Sequence, residues 1–332
     1  MIDFEPKSGP FAHTSNSSSR IMYTVVLTLL PAALMGVYQF GLASLQTLLV
    51  CSVVAIIAEY ICLKLLGRAT SACLDGSALL TGLLLAMSLP ATVPMWLAAF
   101  GSVFAIVVGK QIYGGLGQNL FNPAMLARVM LLICFPVEMT TWAVPTPIDF
   151  SGNQVTVPQG WLQFDGVTAA TSLSGLQHEP VSLAAQFFGS IGGSLGETSA
   201  LLILLGGLVL LYRRIIHWAI PVSFIAGLCV PAAIAALIAP DSFASPLSQL
   251  LSGGAMLGAF YIATDLVTSP TSVRGQLIYG GICGLLIWLI RSFGNYPEGV
   301  AFAVLMVNAA SPLIDHYLRP SIFGSKSAVE KS

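Results

Sequence analysis

An all-α polytopic membrane protein with about ten transmembrane helices, arranged as two inverted five-helix repeats, is what this sequence predicts. Three observations lead there. First, 56% of the 332 residues are hydrophobic and only 8% are charged, against about 25% charged in an average soluble domain. Second, apolar runs recur along almost the whole chain, at lengths suited to membrane helices. Third, the two halves share a pattern. "SALLTGLLLAMSLPATV" (Ser77–Val93) and "GAMLGAFYIATDLVTSPTSV" (Gly254–Val273) are both small-rich and apolar and both run into a proline, while "FNPAML" and "VNAASPLI" each set an Asn close to a Pro.

Taken in order, residues 1–20 are polar and precede many apolar runs, so they read as a flexible cytoplasmic arm rather than a cleavable signal. Residues 21–138 form the first repeat. Its spans are Ile21–Tyr38, Leu42–Leu66, Ser77–Leu89, Val93–Gly109 and Pro123–Val137. Residues 139–198 form a long polar loop, and residues 199–318 the second repeat. Its spans are Ser199–Tyr212, Ile215–Ile238, Leu251–Ala263, Gln276–Ile290 and Glu298–Tyr317. Residues 319–332 are a cytoplasmic tail. The third and eighth spans are the shortest and are rich in Gly and Ser, which suits broken or re-entrant helices. Five spans per half invert the second copy relative to the first.

Lys and Arg concentrate in cytoplasmic loops. With the N-terminus inside, all of the 13 basic residues except Arg128 and Arg291 fall on the inner face. Both termini are then cytoplasmic. The stretch from Glu138 to Glu197 contains no Lys or Arg and lands outside. A net charge of -1 gives no sign of nucleic-acid binding. The 6 cysteines lie in or beside apolar runs without CxxC spacing, and the 4 histidines are scattered, so no disulfide framework or metal site is expected.

Inside the outer loop stands "DGVTAATSL", Asp165 to Leu173. Acids, glycine and threonines also make ordinary turns. The order Asp165-Gly166-Val167-Thr168-Ala169-Ala170-Thr171, however, resembles the flavinylation motif of a family of flavin-carrying membrane subunits, found in the sodium-pumping NADH:quinone reductase and in the Rnf electron-transport complex. "GGLGQNLFNPAMLARV", "GETSALLILLGGLVLLYRR", "FYIATDLVTSP" and "EGVAFAVLMVNAASPLID" extend the likeness over nearly the whole chain. The first span starts by about residue 21, which suits the Rnf branch, because the quinone-reductase member carries a longer N-terminal region. The family often has Gly where Ala169 stands.

The resemblance implies that a separate flavin transferase links FMN through its phosphate to Thr171, with Asp165 and Thr168 as recognition elements. It also implies a noncovalent riboflavin near the cytoplasmic side, at Asn119 and Asn122. Asn amides offer both donors and acceptors, as a flavin's polar edge requires. The same residues suit a helix start, with Asn122 as cap and Pro123 in the first turn, and one residue can serve both ends. No dinucleotide fingerprint follows a strand, so NADH chemistry belongs to a partner.

Ionisable groups within spans are functional candidates by default. Glu59, Arg128, Asp265 and Asp315 are therefore candidates for an ion pathway, and Glu197 and Glu298 stand at span entrances. The plainer alternative is an ion pair that fixes the bundle, such as Arg128 with a carboxylate. Trp142 and Trp161 read as interfacial anchors. The implied function is that of the flavin-carrying member of an Rnf-type complex. Such a complex couples electron transfer between ferredoxin and NAD to Na⁺ or H⁺ movement, together with other membrane, iron–sulfur and flavin subunits. An all-helical five-plus-five fold also suits a solute channel with no redox role, or an assembly scaffold.

Overall fold

A computed structural model of the chain describes residues 17–143, 145, 147, 168–169, 183–189, 192–240, 243–294 and 298–319. Asp165, Thr171 and Trp161, most of the N-terminal arm and nearly all of the tail lie outside the described residues.

The described elements are almost entirely helical. Helix α1 (Ser18–Phe40) starts where the Ser17 hydroxyl accepts the Arg20 N–H, and it ends at Gly41, whose φ of 73° breaks the helical path. Helix α2 (Leu42–Leu65) follows directly, and a 3₁₀ turn (Thr70–Asp75) leads into α3 (Ser77–Ser88). Pro90 and Pro94 separate α3 from α4 (Met95–Ile106), which runs on into a π-helical turn (Val107–Gln111). Helix α5 (Pro123–Cys134) stops short of the expected Val137, because Pro136 has no N–H to extend it and instead starts the short α6 (Pro136–Thr140).

Two-residue strands β1 (Trp142–Ala143) and β2 (Thr168–Ala169) pair antiparallel, with Trp142 opposite Ala169 and Ala143 opposite Thr168. They are an exception to the all-helical expectation. After α7 (Leu183–Phe188) and a 3₁₀ turn (Leu195–Glu197) come α8 (Ala200–Tyr212), α9 (Ala219–Ile238) and α10 (Pro246–Leu251). The expected eighth span is broken. A Ser252-Gly253-Gly254 turn precedes the one-turn helix α11 (Ala255–Leu257), and a π turn (Gly258–Ile262) completes it. Helices α12 (Val273–Phe293) and α13 (Val300–Tyr317) close the bundle.

Five of these helices, α1, α2, α9, α12 and α13, are long and apolar enough to cross a membrane. Helices α3, α5, α8 and the α4 unit are shorter but equally apolar. The long ones stay apolar on their outward faces: Leu27 and Leu34 are both 64% exposed, and Leu237 is 85% exposed. A soluble monomer rarely exposes contiguous apolar surface on that scale. In lipid that surface is solvated, and every helix satisfies its own backbone.

The core contains a second layer, made of the short elements. Helix α3 packs on α1, α2 and α5, and the Leu195 N–H reaches the Leu89 carbonyl at 3.3 Å across the Pro90–Ser194 bridge. Helices α9 and α12 make the most extensive pairing. Their backbones touch there, because a Cβ on Gly227 would collide with the Gly281 carbonyl and one on Gly284 with the Phe224 carbonyl. Small residues that allow such approach are the usual route to tight helix packing where water supplies no driving force.

Candidate functional site

Two polar sites lie within the apolar bundle. The first is a cleft where the starts of α1, α3 and α5 meet the ends of the α4 and α11 units and of α8. Arg68, Arg213 and Arg214 lie at this same end of the bundle: Arg68 Nη1 donates to the Gly114 carbonyl, and the two arginines directly follow α8. The cleft is a narrow slot with a cavity volume of about 80 Å³, partly open to the outside. Its walls are mainly apolar, with Val25, Leu84, Leu116 and Phe260 among them, and its polar lining includes Lys110, Asn119, Asn122, Thr264 and Asp265.

Asn119 and Asn122, expected from the sequence as a pair, both line this slot and are 7% and 3% exposed. The Asn122 carbonyl oxygen accepts the Ala124 and Met125 N–H groups at 3.1 and 3.3 Å, so it is the cap of α5. Its amide nitrogen reaches the Ile262 carbonyl of the π turn at 3.5 Å, the outer limit of a hydrogen bond. The Asn119 amide donates to the Phe121 carbonyl at 3.1 Å. Capping thus engages one end of Asn122 and leaves the other loosely held.

Asp265 also borders the slot. One of its carboxylate oxygens accepts the Val267 N–H at 3.2 Å, and the other accepts the Thr268 hydroxyl at 3.3 Å. Burial raises its carboxyl above the ordinary range, and those two hydrogen bonds oppose the rise. Glu59 stands behind the wall. Lys110 Nζ donates to its Oε1, and Gln111 Nε2 donates to the same oxygen at 2.9 Å. Read in sequence as an inner-loop cation, Lys110 instead sits in the π turn with 2% exposure, and it also donates to the Ser77 hydroxyl at 2.5 Å. A π turn adds a residue to each hydrogen-bonded ring and re-aims side chains; nothing in the local sequence signals it.

The second site begins at Arg128, midway along α5. Arg128 Nη2 donates to Glu298 Oε2 at 2.8 Å, with side-chain exposures of 3% and 13%. The other Glu298 oxygen accepts the Gly254 N–H at 3.2 Å, so one carboxylate ties α5, the turn before α11 and the start of α13 together. Glu197 Oε1 accepts the Ser194 hydroxyl at 2.7 Å. Burial first, and then the like charge of Glu298, push the Glu197 carboxyl up to about 8. Arg291 donates to the Gln249 and Ser252 carbonyls. The ring of Trp142, itself buried, lies 5.9 Å from the Arg128 guanidinium carbon, close enough for a cation–π contact. The Trp142 backbone pairs with Ala169, so Arg128 lies one side chain away from the ribbon that carries Thr168.

The four candidate pathway residues are thus not brought together. Asp265 lines the slot and Glu59 stands behind its wall, while Arg128 belongs to the second site, ion-paired with a carboxylate as the plainer alternative expected. Asp315, expected inside a span, lies half-buried in the last turn of α13, where it accepts the Thr271 N–H at 3.0 Å and the Thr271 hydroxyl at 3.1 Å. Sequence reasoning missed Lys110 as a slot residue and Glu298 as the partner of Arg128. The signal for the second was only that each is a lone charge beside an apolar run.

Comparison with known proteins follows the same residues. The model of the NQR2, RnfD, RnfE family matches residues 6–324. The chain is 45% identical over 344 residues to the D-type component of the ion-translocating oxidoreductase complex of Yersinia pseudotuberculosis, covering 96% of this chain and 98% of the relative. Its identity to the corresponding component from Stutzerimonas stutzeri is 49% over 333 residues, 93% of each chain. To that of Escherichia coli it is 43% over 348 residues, 97% of this chain and 99% of the relative.

Proposed function

The chain belongs to the NQR2, RnfD, RnfE family, and from that premise we propose that it is the RnfD component of an ion-translocating oxidoreductase complex, with one flavin at each membrane face. The observation that carries this reading is the match to relatives from such complexes at 43% to 49% identity over nearly the full length. In the proposed topology ten spans form two inverted halves, and both termini face the cytoplasm of a bacterial inner membrane. The slot then faces inward and the Arg128–Glu298 site outward. Other membrane, iron–sulfur and flavin subunits complete the complex, which moves Na⁺ or H⁺ as electrons pass between ferredoxin and NAD.

At the outer face, FMN is joined through its phosphate to the Thr171 hydroxyl by a flavin transferase, with Asp165 and Thr168 recognised in the same motif. The short ribbon of Thr168–Ala169 against Trp142–Ala143 supports this reading, because it ties the motif to the bundle just above Arg128. When bound, flavin supplies the electron transfer that no side chain of this chain can perform. Arg128 and Trp142 would hold the floor beneath the motif, and the Glu298 carboxylate keeps that guanidinium oriented.

At the inner face, the slot fits a noncovalent riboflavin. A narrow, mainly apolar space with a few polar groups on its wall suits a flat ring. Asn122 can turn its loosely held amide toward a ligand while its oxygen goes on capping α5. Asn119 and Asn122 would then set the orientation of the ring, and the surrounding Leu84, Leu116 and Phe260 would exclude water. Family membership favours this redox reading over a solute channel. In-gel flavin fluorescence that survives denaturation in the native chain and vanishes in Thr171→Ala, with membrane insertion unchanged, is the expected result. A Thr171→Ala chain that still fluoresces would overturn the assignment.

A further inference from the structure

The reading of the slot as a flavin site leaves one of its residues unexplained. Among the described lining residues Lys110 is the sole cation, and it is one of the few charges buried in the bundle. An ammonium has three N–H donors. Two are used, on Glu59 Oε1 and Ser77 Oγ, and among the described residues no acceptor takes the third. Glu59 is no better matched, since its Oε1 serves both Lys110 and Gln111 while its Oε2 has no partner.

A pair that only clamped α2 to the α4 unit would do as well, or better, as packed apolar residues, because burying two charges costs about what their attraction returns. An ion pair in the wall of a ligand slot, with a donor to spare, has a use that an apolar pair lacks. Its cation sits where an acceptor group of the ligand can reach it. Glu59 holds it in place, and Ser77 sets its direction from the start of α3.

Resting on that slot reading, we propose that Lys110 is the electrostatic anchor of the inner flavin, giving its free N–H to the carbonyl edge of the ring and holding the reduced cofactor more tightly than the oxidised one. When a reduced iron–sulfur or flavin centre of a neighbouring protein in the complex gives up one electron, that electron enters the ring. No bond forms or breaks, Lys110 keeps its proton, and the added negative charge lies against its ammonium. Asn119 and Asn122 orient the ring, while Lys110 sets how readily it accepts the electron.

The test uses the intact complex and the Glu59→Gln/Lys110→Met double variant, which removes both charges together and strands neither. Covalent flavin fluorescence and complex assembly report folding, and Lys110→Arg keeps the charge as a second variant. Riboflavin released by denaturing the native complex is the precondition; its absence would refute the slot reading itself, separately from the role of Lys110. Given riboflavin, a redox titration of the noncovalent flavin is decisive. The double variant is expected to lose at least about tenfold of the preference for the reduced form, a one-electron potential about 59 mV more negative, and Lys110→Arg is expected to retain most of it. Loss of riboflavin from the double variant but not from Lys110→Arg would equally support the anchor. A double variant that keeps riboflavin at the native potential would overturn it.

Discussion

Replacing Arg128 with Met removes a charge but little volume, and it strips the Glu298 carboxylate beside Glu197 of its hydrogen-bonded counter-charge, leaving only the more distant field of Arg291. The native carboxylate accepts from Arg128 at 2.8 Å and from the Gly254 N–H at 3.2 Å, and it is 13% exposed. The backbone hydrogen bond survives in the variant, and the charge-assisted one does not. Breaking one partner of a buried pair typically costs about 3–5 kcal/mol. The residual exposure of Glu298, and the nearby charge of Arg291, place the expected loss near the lower end, about 3 kcal/mol. Adding Glu298→Gln neutralises the stranded group and should recover more than half of that loss. The assay is a double-mutant cycle on unfolding in detergent, with covalent flavin fluorescence reporting correct insertion. Arg128→Met within about 1 kcal/mol of native, or a double variant no more stable than the single one, would refute the view that this pair ties α5 to α13.

Glu197 makes stability depend on pH. Its carboxyl is raised from 4.5 to about 8, so its contribution is complete below about pH 4.5 and is lost as pH rises through about 8. The thermal midpoint of the native chain should fall over that window relative to Glu197→Gln, and parallel profiles would contradict the assignment. At the α9–α12 crossing, Gly284→Val must push apart backbones already in contact with the Phe224 carbonyl. A loss of about 1–3 kcal/mol or more is expected from overpacking, measured by unfolding in detergent, and a neutral effect would mean the two helices do not cross there.

The apolar skeleton was legible in the sequence because membrane helices are written as uninterrupted runs. Arg20, Gly41, Pro90 and Asn122-Pro123 stand close to where helices begin or end, since each changes what the local backbone can do. The early stop of α5 at Cys134 was also written there, in Pro136. The pairing of Asn119 with Asn122 was implied by the family resemblance, and both line one slot.

What escaped is what depends on distant partners. Arg128 and Glu298 are 170 residues apart, and nothing local to either names the other. Lys110 looks like any basic residue after an apolar run, until a π turn rotates it inward onto Glu59. Asp315 accepts from Thr271, 44 residues away, a contact that nothing local to either residue signals. The ribbon of Trp142–Ala143 with Thr168–Ala169 is too short to leave a strand pattern.

Mass spectrometry of the peptide containing Thr171 decides whether a flavin hangs from that threonine on the outer side. A mass increase equal to FMN less one water, with fragmentation placing it on Thr171, is expected. An unmodified Thr171 peptide from protein purified out of a host that supplies the flavin transferase would contradict it.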